Sequence, residues 1–365
     1  MIALLEKISG PFCAFRRLKC LTKSPYNGGS KISYSVCLKK TDPRREYAII
    51  VGLPVLLWSA GKFVGGAAGI ARHFGLSPLL IGMLIIGFGT SAPEIIVSIF
   101  AAIQGNSGIA LGNAYGSNIA NIALILGLTA VISPIAVSSD IIKRELPILL
   151  GLTFFASWQL IDFYISTDDA FSLLGLFILL MGWSIWAATK GDKDKLAEGY
   201  DSEIPGDEIS VKTNAIWLFT GLLLLVASSR ILVWGAVEIA TDFGVSDTII
   251  GLTIIAVGTS LPELASSLMA IRKGEHDMAL GNVIGSNMFN TLAVVGIAGT
   301  IQPMQVEPSF LYRDVLIMLV LSVALFIFCI GLKGRQGRLN RLEGGVFVLG
   351  YIAYTWYLVQ SAFVS

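Results

Sequence analysis

Apolar residues fall along this chain in long unbroken runs separated by short polar breaks, not in alternation. Ten runs approach or exceed 20 residues, at about 47–71, 78–103, 109–133, 146–163, 170–189, 214–240, 247–271, 278–301, 312–332 and 344–363. A helix of about 20 apolar residues crosses the ~30 Å hydrocarbon core of a bilayer. A membrane barrel would instead show alternating segments of about 10 residues. The pattern predicts an all-α polytopic membrane protein with ten transmembrane helices. Two stretches fall outside it. Residues 1–46 carry ten Lys/Arg and no long apolar run. They read as a disordered extension, a removed targeting segment or a stretch upstream of the true start. Residues 190–213 form one long polar loop in which Lys190, Lys193, Lys195 and Lys212 sit among seven acids. This loop reads as a solvated linker between two halves, 47–189 and 214–365.

Composition agrees. Of 365 residues, 54% are hydrophobic and 14% charged, against about 25% charged in soluble domains. Mean hydropathy is +0.74. A net charge of +1 supplies no field for nucleic acid. Cys13, Cys20 and Cys37 lie in the polar tail and Cys329 in an apolar run, so the cysteines make no disulfide framework.

Lys and Arg in short loops set orientation. Loops after odd-numbered runs hold thirteen, including Arg72, Lys143, Arg144, Arg272 and Lys273, whereas loops after even-numbered runs hold only Arg313. The odd loops, with 190–213 among them, are expected in the cytoplasm and both ends of the ten-helix core outside. The basic tail opposes that assignment, but the loops agree with one another. The sequence predicts an integral membrane protein that needs only the bilayer, with no nucleic acid and no obligate protein partner.

Residues 87–127 and 256–296 are two copies of one motif. They align without gaps at an offset of 169, and from Gly89 to Gly127 17 of 39 positions are identical. Both copies read G-T-S-x-P-E, and then G-N-x-x-G-S-N-x-x-N. Five spans separate equivalent points, so the second copy crosses in the opposite sense. This predicts two inverted five-helix repeats, a layout in which transporters bind substrate near the midplane.

Glu94 and Glu263 are the decisive residues. A carboxylate at mid-membrane costs several kcal/mol unless it is paired or solvated, and no Lys or Arg in their own spans is placed to neutralise them. Two such acids attract a cation, and carboxylate, hydroxyl and carbonyl oxygens suit hard ions such as Ca2+ or Na+. Thr90 and Ser91 lie four and three residues before Glu94, as do Thr259 and Ser260 before Glu263, so each set can share a helix face. Pro93 and Pro262 have no N–H, which frees the carbonyls of Gly89 and Gly258. In the next span Ser117 and Asn121, and their copies Ser286 and Asn290, add neutral oxygens. Taken singly, a serine or threonine in a membrane helix usually bonds its own backbone, and G-x-x-x-G is usually helix packing. Duplication of the whole set argues for a site. Lys62, Arg230 and Glu238 read as snorkelling or paired side chains. Arg144–Glu145 and Arg313–Asp314 read as structural pairs.

These motifs closely resemble the α-repeats of the sodium/calcium exchanger family, within the calcium/cation antiporter superfamily, and the layout looks like the bacterial inner-membrane members. The resemblance covers residues 47–363. It implies that spans 2, 3, 7 and 8 form an ion-binding core past which spans 1 and 6 slide. It also implies that Glu94 and Glu263 are the central Ca2+ carboxylates shared with Na+, that Thr90 and Thr259 give carbonyl and hydroxyl oxygens, and that Ser91, Ser117, Ser260 and Ser286 lie near flanking Na+ sites. Asn121 and Asn290 match the polar pair at the centre. Some members, including K+-dependent exchangers, carry Asp at the position of Asn290, which weakens the case for K+ co-transport. No cofactor is implied beyond the transported ions. Ca2+/Na+ antiport, with Ca2+ leaving the cell, is the leading reading and Ca2+/H+ or other cation/H+ antiport the alternative. An intramembrane enzyme is disfavoured because His73 and His276 both fall at loop positions, and a channel has no need of exchange-type symmetry.

Overall fold

Proline and glycine decide where the long apolar runs bend and how closely they pack. The computed structural model describes residues 43–190, 210–242, 256–330 and 337–364 and is mostly helical. The helices are α1 Pro43–Phe74, α2 Pro78–Thr90, α3 Ala92–Ile103 and α4 Ser107–Ile132, then α5 over 141–159 and α6 Thr167–Lys190. They continue with α7 Val211–Asp242, α8 Ala256–Thr259, α9 Leu261–Arg272, α10 His276–Ile301, α11 Pro308–Cys329 and α12 Arg341–Val364. Among the described residues seven of these (α1, α4, α6, α7, α10, α11 and α12) are long and apolar enough to cross a membrane, and α2 with α3, bent by 45°, makes an eighth.

The remaining predicted spans differ in detail. The run at 146–163 is helical over 141–159, so Lys143 and Arg144, counted above as loop charges, lie in the opening π-helical turn of α5. The run at 247–271 begins outside the described residues; its described part is α8 and α9, interrupted at Ser260. α1 starts at Pro43, ahead of the expected residue 47. The basic tail up to residue 42 and the loop residues 191–209 lie outside the described residues.

Polarity is inverted relative to a water-soluble protein. Leu179 and Leu223 are each 70% exposed, whereas Thr90, Ser91 and Glu94 are completely buried. An apolar exterior around a polar interior is what a hydrocarbon solvent selects.

Four two-residue strands join the ends of the helices. β1 (Ile135–Ala136) pairs antiparallel with β4 (Arg338–Leu339). β2 (Tyr164–Ile165) pairs with β3 (Met304–Gln305). β1 and β3 are equivalent at the offset of 169, so each copy lends this strand to a partner from the other half.

Glycine sets the closest approaches. A Cβ on Gly281 of α10 would lie 2.5 Å from the Leu79 carbonyl oxygen, and one on Gly285 2.6 Å from that of Met83, both backbone atoms of α2. α1 and α7 meet in the same way, since a Cβ on Gly66 would lie 2.6 Å from Asn214 O and one on Gly221 2.7 Å from Phe63 N. The G-x-x-x-G spacing in the second copy is therefore helix packing. Gly281→Ala is expected to cost about 1–3 kcal/mol by forcing α2 and α10 apart. In detergent its melting temperature should fall by roughly 5 °C. Gly350→Ala, at an exposed helical site with nothing within 4 Å, should leave it unchanged or slightly raised.

Candidate functional site

The broken helices build the site. Pro93 and Pro262 sit in the first turns of α3 and α9, where a missing N–H costs nothing. The residue before each new helix leaves helical geometry in the same way, Ser91 at φ −83°, ψ 1° and Ser260 at φ −90°, ψ 6°. Thr90 and Glu94 are thus not stacked on one continuous helix, as their spacing suggested. Thr90 ends α2, and Glu94 lies in the first turn of α3. Both Glu94 and Glu263 stand at helix N-termini, whose partial positive charge favours an anion.

The two copies meet at these breaks. Ser91 Oγ donates to Glu263 Oε1 at 3.2 Å. Thr90 Oγ1 donates to the Ile86 carbonyl at 3.0 Å, and Asn282 Oδ1 lies 3.3 Å away. Ser286 Oγ donates to Gly87 O at 3.3 Å. Asn121 and Asn290 lie in π-helical turns of α4 and α10, irregularities common at functional sites. Asn121 Nδ2 donates to Asn287 Oδ1 at 2.9 Å. Ser117 and Ser260 are buried, but among the described residues no side-chain hydrogen bond joins them to the other candidates. Thr259 is half-buried at the end of α8.

Among the described residues several buried side-chain oxygens of the duplicated motif have no hydrogen-bond donor. They are both carboxylate oxygens of Glu94, Oε2 of Glu263, and the side-chain oxygens of Asn118, Asn121 and Asn290, with the Ser260 hydroxyl beside them. Glu94 and Glu263 feel each other's charge. Unsatisfied oxygens on two buried acids and on buried amides of the same motif are complementary to a hard cation.

Four further residues hold the glutamates in place. Asn113 Nδ2 donates to Glu94 O at 3.0 Å and to Ser98 Oγ at 2.9 Å. Asn282 Nδ2 donates to Glu263 O at 3.1 Å and to Ser267 Oγ at 2.9 Å. The same bracket occurs once in each copy. All four residues are identical between the copies, so the repeat itself was the signal. Asn118 Nδ2 donates to Thr291 Oγ1 at 2.8 Å; position 122, the counterpart of Thr291, is Ile, so the repeat gave no hint of that bond.

The other intramembrane charges resolve as follows. Lys62 lies over the rings of Trp217 at 4.5 Å and Trp58 at 6.0 Å, a paired cation as expected. Arg230 of α7 is within electrostatic reach of Glu94, so a cation does approach the site, from a neighbouring helix instead of the glutamates' own spans. Arg313 makes two 2.9 Å bonds to Asp314, which also accepts from Tyr354 at 2.8 Å. Arg144 lies 3.5 Å from Glu145. Both are structural pairs. Among the described residues Cys329 is a buried free thiol.

Comparison with known proteins identifies this architecture. The sodium/calcium exchanger protein family matches residues 47–186 and 213–360. The chain belongs to the sodium/calcium exchanger family. CaxA of Alkalimonas amylolytica, provisionally named an antiporter, is 46% identical over 86% of this chain and 98% of its own length. The inner membrane protein YrbG of Escherichia coli is 37% identical over 84% of this chain and 96% of its own. A solved structure of the sodium-calcium exchanger NCX_Mj, soaked with Na+ and Sr2+, superposes with a TM-score of 0.72 at 33% identity, covering 85% of this chain and 97% of that one. As a member of this family the chain is an integral membrane cation antiporter, not an enzyme.

Proposed function

We propose that this exchanger moves Ca2+ out of the cell in exchange for Na+, by alternating access around Glu94 and Glu263. The observation that carries the reading is the set of buried oxygens, donorless among the described residues, on both glutamates and on Asn118, Asn121 and Asn290. Two carboxylates match the charge of one Ca2+, and neutral hydroxyl and amide oxygens complete the shell of either ion. The names of the relatives point the same way, the Methanosarcina acetivorans protein being called a sodium/calcium exchanger.

Exchange follows from charge. Leaving a buried acceptor unsatisfied costs about 1–3 kcal/mol, and more for a charged one. A site filled by Ca2+ or by Na+ ions can traverse the barrier between access states, whereas the empty, doubly charged site crosses poorly. Movement of α1 and α7 as a pair is favoured by their packing. They touch backbone to backbone through Gly66 and Gly221, but touch the core through side-chain tips, Met269 Cε against Gly61 and Leu222 against Gly89. We further read the chain as ten spans in two inverted halves, 47–189 and 214–365, joined by a cytoplasmic loop at 190–213, in a bacterial inner membrane. The strand pairs favour that parity, because β1–β4 and β2–β3 each join loops that ten spans would put on one side.

The test is radioactive Ca2+ uptake into proteoliposomes loaded with Na+ and diluted into Na+-free buffer at fixed pH. Uptake should require the outward Na+ gradient. Uptake driven by a pH gradient and indifferent to Na+ would overturn Na+ coupling in favour of H+ exchange.

A further inference from the structure

The repeat extends to the sliding helices, and there it breaks in one informative place. At the offset of 169, α1 and α7 coincide. Ser59 Oγ donates to Leu56 O at 3.0 Å, and its counterpart Ser228 donates to Leu225 O at 3.0 Å. The next position differs. In α1 it is Ala60, fully buried, and in α7 it is Ser229, 3% exposed. Ser229 Oγ donates to the carbonyl of Gly258 at 3.1 Å.

That carbonyl is the one freed by Pro262, four residues on, whose ring supplies no N–H. It lies one residue before Thr259 and two before Ser260, at the break that presents Glu263. One turn beyond Ser229, Val233 packs directly on Gly258. In the first copy, the atoms nearest a Cβ on Gly89 are those of the apolar side chains of Leu222 and Phe63, and Ala60 has no hydroxyl to offer. Among the described residues this hydrogen bond therefore ties α7 to the broken helix in one copy and has no equivalent in the other.

We infer that Ser229 is a latch between α7 and the Gly258 carbonyl that favours the access state shown by this structure over the opposite one. The inference rests on the alternating-access reading. Sliding α7 past α8 separates Ser229 from Gly258, and the bond has no mirror image in the other state, because its counterpart position is Ala60. A buried hydroxyl–carbonyl bond of ordinary strength biases such an equilibrium by about three- to tenfold. Ser229 is thus a positioning residue, which acts through the carbonyl at the broken helix and does not touch the ion.

Ca2+/Ca2+ self-exchange tests this, with half-saturation measured separately from each face in right-side-out and everted vesicles. Ser229→Ala is expected to raise the half-saturating Ca2+ on the latched face and lower it on the other, moving their ratio about three- to tenfold. Ser229→Thr, which keeps the hydroxyl, should retain the wild-type ratio. A general loss of packing would instead lower rates or move both faces together, and that result, or an unmoved ratio, would overturn the latch. Absence of any self-exchange by the unmodified protein would overturn the transport reading and the latch with it, whereas exchange with an unmoved ratio overturns the latch alone.

Discussion

Glu263→Gln is expected to abolish Ca2+ transport, lowering its rate by more than about 100-fold, while the protein folds normally. Glu94→Gln should behave alike. The substitution keeps shape and removes one of two charges from a fully buried site. Binding a divalent ion to a single carboxylate leaves an excess positive charge in low dielectric, and one buried uncompensated charge costs several kcal/mol. A loss of 1.4 kcal/mol is already tenfold. Folding does not suffer, because an amide is cheaper to bury than an ionised carboxylate. Thermal unfolding in detergent separates the two effects. Ca2+ at about 100 times its dissociation constant should stabilise the wild type by about 2.7 kcal/mol and leave either variant unmoved. A Gln variant that exchanges at the wild-type rate would remove that glutamate from the mechanism and overturn the two-carboxylate site.

The second large effect is expected at Asn282, which is not itself a candidate ion ligand but holds the backbone of one. Its amide donates to Glu263 O and Ser267 Oγ, and its own oxygen faces Thr90. Asn282→Ala removes these bonds at a site only 1% exposed and frees the turn that carries Glu263. Two lost buried hydrogen bonds at about 1–1.5 kcal/mol each predict a roughly 30- to 150-fold fall in apparent Ca2+ affinity. Asn113→Ala breaks the same bracket in the first copy, but Asn113 is half-buried, so water can replace part of the loss. Its effect should be several-fold smaller. Equal effects, or none at Asn282, would count against the bracket as the device that positions the glutamates. Initial rates across a Ca2+ titration decide between these outcomes.

Much of this molecule is written in short-range patterns. Unbroken apolar runs specify membrane helices because hydrocarbon tolerates no unpaired backbone. The gapless repeat at an offset of 169 marks the site, and proline next to glutamate marks where each helix breaks. These features depend on composition and spacing alone, so they survive without coordinates.

What the sequence could not determine depends on which groups meet across more than 150 residues of chain. Spacing put Thr90 and Glu94 on one helix face, but the break at Ser91 separates them, and Thr90 turns its hydroxyl to Ile86 O. Ser91 instead reaches Glu263 in the other copy. Arg230 looks like a snorkelling cation until α7 is packed beside the end of α2 and against α9. The two copies also fold into unequal halves: Asn113 is half-buried where Asn282 is sealed, and Ser229 bonds Gly258 where Ala60 has no hydroxyl to donate. The sequence by itself determined the solvent, the repeat and the two acids. The tertiary structure decided which oxygens are spent on backbone and which are left for an ion, because a hydrogen bond needs its partner within about 3 Å, and only packing sets that distance.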